Sequence, residues 1–116
     1  MSPREIAAEQ ALELLAAAAR DEITFRILRK ASDAPAETTL FHAQQAIEKG
    51  LKAALVSAGV VFRRTPDLLE LLDLASTENL VVPVERALLA RLAPYAVEFR
   101  YLGVVAPKVS LDEAES

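Results

Sequence analysis

No cysteine occurs in this sequence. That absence excludes a disulfide framework, thiolate metal sites and cysteine nucleophiles together, and makes the cytoplasm the expected compartment. There are three glycines, too few for the glycine-rich loops that cradle phosphates. A single histidine, His42, rules out metal sites built mainly from imidazoles, so any mononuclear site would be dominated by carboxylates. Long hydrophobic runs are missing too. The longest uncharged apolar stretch, Ala53 to Phe62, includes Ser57 and Gly59 and falls short of the ~18 residues a membrane span needs. Met1-Ser2-Pro3-Arg4-Glu5 lacks the basic-then-apolar order of a signal peptide. A soluble protein with no membrane partner is expected.

What is present fits one domain. A chain of 116 residues buries roughly 65% of its unfolded surface, which gives a core without staples. Hydrophobic residues make up 53% of it and the mean hydropathy is +0.23, high for so small a domain, so part of the apolar surface is expected to lie between chains. The net charge of −4 and a pI near 5.0 do not supply the diffuse positive field of a non-specific nucleic-acid binder. A local basic patch remains open.

Start and stop signals divide the chain into helices. Ser2-Pro3-Arg4-Glu5 is a capping box with proline at the first helical position. Ile6, Leu12, Leu15, Ala16, Ala19, Ile23 and Ile27 follow at spacings mostly of three and four, which predicts an apolar stripe on a helix to about Lys30. Pro35 opens a second helix, from about Ala36 to Ala58, and Gly59 supplies its left-handed end. Thr65-Pro66-Asp67 announces a short third helix to about Ala75, capped by Thr65. A fourth starts at Pro83 and runs from Val84 to Tyr101, with Pro94 kinking or dividing it. Ser110-Leu111-Asp112-Glu113 is one more capping box, followed by only three residues. The expected fold is all-α, a bundle of four to five helices over residues 1–103 with the last helix short or missing, and an extended tail over 104–116 that carries the start of a truncated helix.

The second helix has three faces. Ala43, Ile47, Leu51, Ala54, Leu55 and Ala58 form the arc expected in the core. Ala46, Gly50, Ala53 and Ser57 form a stripe of small residues, and mid-helix Gly50, costing about 1 kcal/mol against alanine, calls for a closely packed helix from this chain or from a second subunit. Gln44, Gln45, Glu48, Lys49 and Lys52, with His42 at the edge, form the polar arc. Glu48 precedes Lys52 by four residues, the favourable order for an ion pair. This arc reads either as a solvated face or as a site. Asp67, Glu70 and Asp73 lie three apart, a weak metal signal whose plainer reading is dipole complementation. Arg63 and Arg64 in the connector after the second helix and Arg86, Arg91 and Arg100 on the fourth, together with Lys49 and Lys52, are candidates for a phosphate or nucleotide surface if they converge. A Ser-His-Asp triad is not excluded by count, but no nucleophile elbow is present.

Phe41-His42-Ala43-Gln44-Gln45-Ala46-Ile47-Glu48-Lys49 with Leu51-Lys52-Ala53 resembles the signature helix of the HEPN domain, the higher eukaryotes and prokaryotes nucleotide-binding family. Arg64-Thr65-Pro66-Asp67-Leu68 and Phe99-Arg100-Tyr101-Leu102-Gly103 are similar to two further family segments. The resemblance covers about residues 37–103. It implies a prokaryotic bundle of about five helices, a homodimer, working with a minimal nucleotidyltransferase as one half of a toxin-antitoxin or related system. Pro66 and Leu102 depart from the histidine and proline this branch often has. The family's RNase motif, an arginine followed four to six residues later by histidine, is absent before His42. The reading is therefore a non-catalytic module with no cofactor, binding a partner nucleotidyltransferase, a nucleotide, or both, through Gln44, Gln45, Glu48, Lys49, Lys52, Arg63, Arg64 and Arg100. An RNase toxin of the same family and a purely structural helical dimer are the alternatives, and RNA is not the favoured ligand.

Overall fold

A computed structural model describes residues 1–82 and 85–96 of the chain. They form four α-helices, α1 (Pro3–Lys30), α2 (Ala36–Ser57), α3 (Leu68–Thr77) and α4 (Arg86–Leu92), and a 3-10 turn over Ala93–Ala96. Among the described residues there is no strand, and no helix is long and apolar enough to cross a membrane. Helix-period patterning throughout accounts for the all-α class. The end of the fourth predicted helix, Arg100 with its segment Phe99 to Gly103, the expected tail and its capping box lie outside the described residues.

The ends follow local chemistry. At α1 the Ser2 hydroxyl accepts from the Glu5 backbone N–H at 3.2 Å while the Glu5 carboxylate accepts from Ser2 N–H, so both orphan donors are satisfied as the sequence predicts. Gly59 sits at φ +75° after α2, with Val60 N–H bonded to Leu55 C=O and Gly59 N–H to Val56 C=O, the paired pattern that closes a helix. Asn79, at φ 60°, does the same for α3. The third helix corrects the sequence reading. Its cap is Asp67, whose carboxylate accepts from the Leu69 and Glu70 N–H groups at 3.0 and 3.2 Å. Thr65 is buried two residues earlier, its hydroxyl accepting from Asp67 N–H. Pro94 falls in the 3-10 turn and ends α4 after two turns, because it has no N–H for the helical ladder.

The core joins one face of α2 to α3, α4 and the turn, through Leu40, Leu51, Leu55, Leu68, Leu71, Leu89, Leu92 and Tyr95. Ala43, Ile47, Leu51 and Leu55 hold the inward positions expected of them; Ala54 and Ala58 are exposed. Helix α1 packs against α2 by a different face from the one its large residues mark. Ala7, Ala11, Leu14, Ala18, Asp21, Phe25 and Leu28, at alternating spacings of four and three, are the buried or half-buried seam, in the manner of a coiled coil. The stripe of Ile6, Leu12, Leu15, Ala16, Ala19, Ile23 and Ile27 faces outward. Leu12 is 66% exposed and Ile27 64%. Its membership was legible, and its direction was not.

Candidate functional site

The polar arc of α2 closes into two clusters. His42 and Lys49 lie two turns apart on the side facing α1, and Asp21 from the α1 seam reaches between them. One Asp21 oxygen takes the His42 Nδ1–H at 2.9 Å and the other takes the Lys49 ammonium at 2.5 Å. The imidazole also stands edge-on to Phe41, with ring centroids 5.4 Å apart. Burial pushes the Asp21 carboxyl up. Its hydrogen bonds from Lys49 and His42, and the charges of both groups, outweigh this and hold it below the ordinary aspartate value.

The second cluster faces α3. Gln44 is 0% exposed and Glu48 8%. One Glu48 oxygen accepts from Gln44 Nε2 at 3.0 Å and the other from Lys52 Nζ at 2.9 Å. Gln44 also donates to the Pro66 carbonyl at 3.4 Å, and Gln45 donates to Gln44 Oε1 at 2.7 Å. A buried carboxylate is tolerable only when paired and hydrogen-bonded, and here it is both. The chain thus uses Gln44 and Glu48 as an internal brace between α2 and the connector before α3.

The residues predicted for a nucleotide, phosphate or partner surface are spread over these two clusters and the connector after α2. Gln44 and Glu48 are buried, so these two do not belong to a solvated face, while Gln45, Lys49 and Lys52 of the same arc are half-buried. The charges of Lys49 and Lys52 point to Asp21 and Glu48. Arg63 makes a forked pair with Glu70 at 2.6 to 2.9 Å, which raises its pKa through hydrogen bonding and charge. Arg64 is exposed, and Arg100 lies outside the described residues. The acidic trio is likewise dispersed: Asp67 caps α3, Glu70 pairs with Arg63, and Asp73 pairs with Arg86. Among the described residues no three histidine, aspartate or glutamate side chains gather to hold a metal.

Sequence reasoning missed Asp21. It lies 28 residues from Lys49 and 21 from His42, beyond any local spacing rule, and the signal was its place in the four-three seam of α1. The surface that stays available is apolar. A groove of about 450 Å³ runs between Leu12 and Leu15 of α1 and the small residues Gly50, Ala53, Ala54 and Ser57 of α2. Helix α1 borders this small-residue stripe and Ala53 is buried there, but a Cβ added at Gly50 would meet nothing within 4 Å among the described residues, so the close contact expected at Gly50 itself is not made by them.

No curated protein and no solved structure matches the chain. A family model described as the HEPN domain matches residues 11–116. With nearly the whole chain matched and an all-helical fold beneath it, the chain belongs to the HEPN domain family.

Proposed function

We propose that this chain is a cytoplasmic, non-catalytic HEPN module of prokaryotic origin that works by docking to proteins. It forms a homodimer and binds a partner nucleotidyltransferase in a toxin-antitoxin-type system. The observation that carries this reading is the inversion of its surfaces. The polar arc of α2 is bonded within itself at Gln44, Gln45, Glu48 and Lys52 and to Asp21 of α1 at His42 and Lys49, while α1 presents Leu12, Leu15, Ile23 and Ile27 to solvent. An exposed apolar stripe of this kind marks an interaction surface. Nucleotide binding is not part of this reading, since Lys49, Lys52 and Arg63 would each have to leave a carboxylate.

Two measurements test it. The nucleotidyltransferase encoded beside this chain, where there is one, should co-elute with it from a sizing column, and separate elution at micromolar concentration would contradict the partner assignment. Titration with ATP should give little heat and leave the melting temperature unchanged; a shift of several degrees would restore nucleotide binding.

The RNase reading has one feature in its favour. Asp21 fixes the His42 imidazole through Nδ1, as a base is oriented in acid-base sites. No nucleophile or second base accompanies the pair among the contacts of His42. RNA degradation by the purified chain, abolished by His42→Ala, would establish that reading in place of the non-catalytic one.

A further inference from the structure

We propose that His42 is a phosphoryl-acceptor residue, whose Nε2 takes a phosphoryl group from an activated donor, an acyl phosphate or a phosphoramidate. This goes beyond docking and does not depend on it. Three observations single out that atom. First, the tautomer is set. Asp21 is held below the ordinary aspartate value and so is a carboxylate that only accepts. Its 2.9 Å contact with Nδ1 therefore places the proton of the neutral ring on Nδ1 and the lone pair on Nε2. Second, Nε2 is open. The His42 side chain is 27% exposed, and among the described residues nothing is hydrogen-bonded to Nε2, which solvent reaches. Third, the ring is held from two sides on the rigid backbone of α2. It stands edge-on to Phe41, and Lys49, bonded to the other Asp21 oxygen at 2.5 Å, fixes the carboxylate that orients it. The Lys49 ammonium also offsets the Asp21 charge, so an incoming phosphoryl dianion meets a neutral pair and not a lone anion.

An oriented imidazole serves either as a base for a neighbouring nucleophile or as the nucleophile itself. Among the described residues no hydroxyl or amine is bonded to Nε2, which leaves the second role. The Nε2 lone pair attacks phosphorus, and a P–N bond forms as the bond to the leaving group breaks. That group departs with the bonding pair, as a carboxylate from an acyl phosphate or as ammonia from an N-protonated phosphoramidate. The Nδ1 proton stays in place. The cationic ring of the product lies against the Asp21 carboxylate, which stabilises that charge as it develops. His42 is thus the nucleophile and Asp21 a positioning residue that acts through it.

The test uses the full chain and two small donors, acetyl phosphate and potassium phosphoramidate, each applied to the folded and to the urea-unfolded protein. The folded chain should gain the mass of one phosphoryl group, stable in alkali and lost in acid, and phosphorus NMR should place it on Nε2. Transfer from acetyl phosphate assigns an acyl-phosphate donor, and transfer from phosphoramidate alone assigns a P–N donor. His42 is the only histidine, so His42→Gln should take no label, and the folded and unfolded rates compare the same residue. The folded chain should react faster on the order of 10-fold, the scale on which a carboxylate partner tunes an imidazole. Asp21→Asn should remove that advantage with helix content kept. Because that variant also loses stability, the tautomer is read independently in the folded wild type. Nitrogen NMR in mild alkali should show Nδ1 protonated and Nε2 bare. No label from either donor, a label on Nδ1 or one that survives in His42→Gln overturns the proposal. So does a folded rate no greater than the unfolded one, or a protonated Nε2.

Discussion

Asp21 bears on stability out of proportion to its place on a long surface helix. One carboxylate holds two α2 side chains, His42 and Lys49, and its pKa is depressed in the fold. A depressed acid contributes stability that is present above its ordinary value of 3.8 and is lost as pH falls through the lower folded value. Asp21→Asn should therefore cost about 2 kcal/mol at pH 7. In urea unfolding the gap to wild type should close as both are titrated to acid well below that value. A gap that stays constant with pH would show that the pairing contributes nothing through charge. Gln44 offers a second test. Gln44→Ala removes a fully buried side chain and strips Glu48 of one donor, and should lower stability by about 2 to 3 kcal/mol in the same assay. A loss under 0.5 kcal/mol would restore the solvated-face reading. The α2 residues of both clusters were visible in the sequence as one polar arc. Their burial was not, because α1 and the Pro66 connector reach them from 20 residues or more away.

At the scale of the elements, the sequence was read well wherever the signal is local. Ser2 and Glu5, Gly59 and Pro94 act within a turn or two of where they stand, and each ends or opens its helix as predicted. Thr65 and Asp67 competed for one cap, and the carboxylate, accepting from two N–H groups, took it. Asp67→Ala should accordingly cost about 1 to 2 kcal/mol by thermal unfolding. Loss of under a few tenths would indicate that Thr65 caps the helix after all. The direction of α1 could not be read in this way. It carries two apolar stripes, one richer in large residues and one in which Ala7, Ala11 and Ala18 alternate with larger side chains, and size suggests that the first is inside. The small residues Ala7, Ala11 and Ala18 in the seam let α2 approach closely, and only the tertiary partner decides that. On the docking reading proposed above the large stripe is left for a further partner, in keeping with an apolar fraction of 53% in so short a chain.

For the whole molecule, the fold divides labour between its faces. One side of α2 builds the core with α3 and α4, the other binds α1 through Asp21, and α1 carries the uncovered apolar surface outward. What covers α1 is therefore decisive for the proposed function. Sedimentation equilibrium of the full chain at micromolar concentration tests this most directly. The account predicts a species of twice the 12.6 kDa chain mass, about 25 kDa, which Leu15→Glu converts to monomer with its helix content intact. A wild-type chain that stays at 12.6 kDa up to 100-fold higher concentration would contradict it.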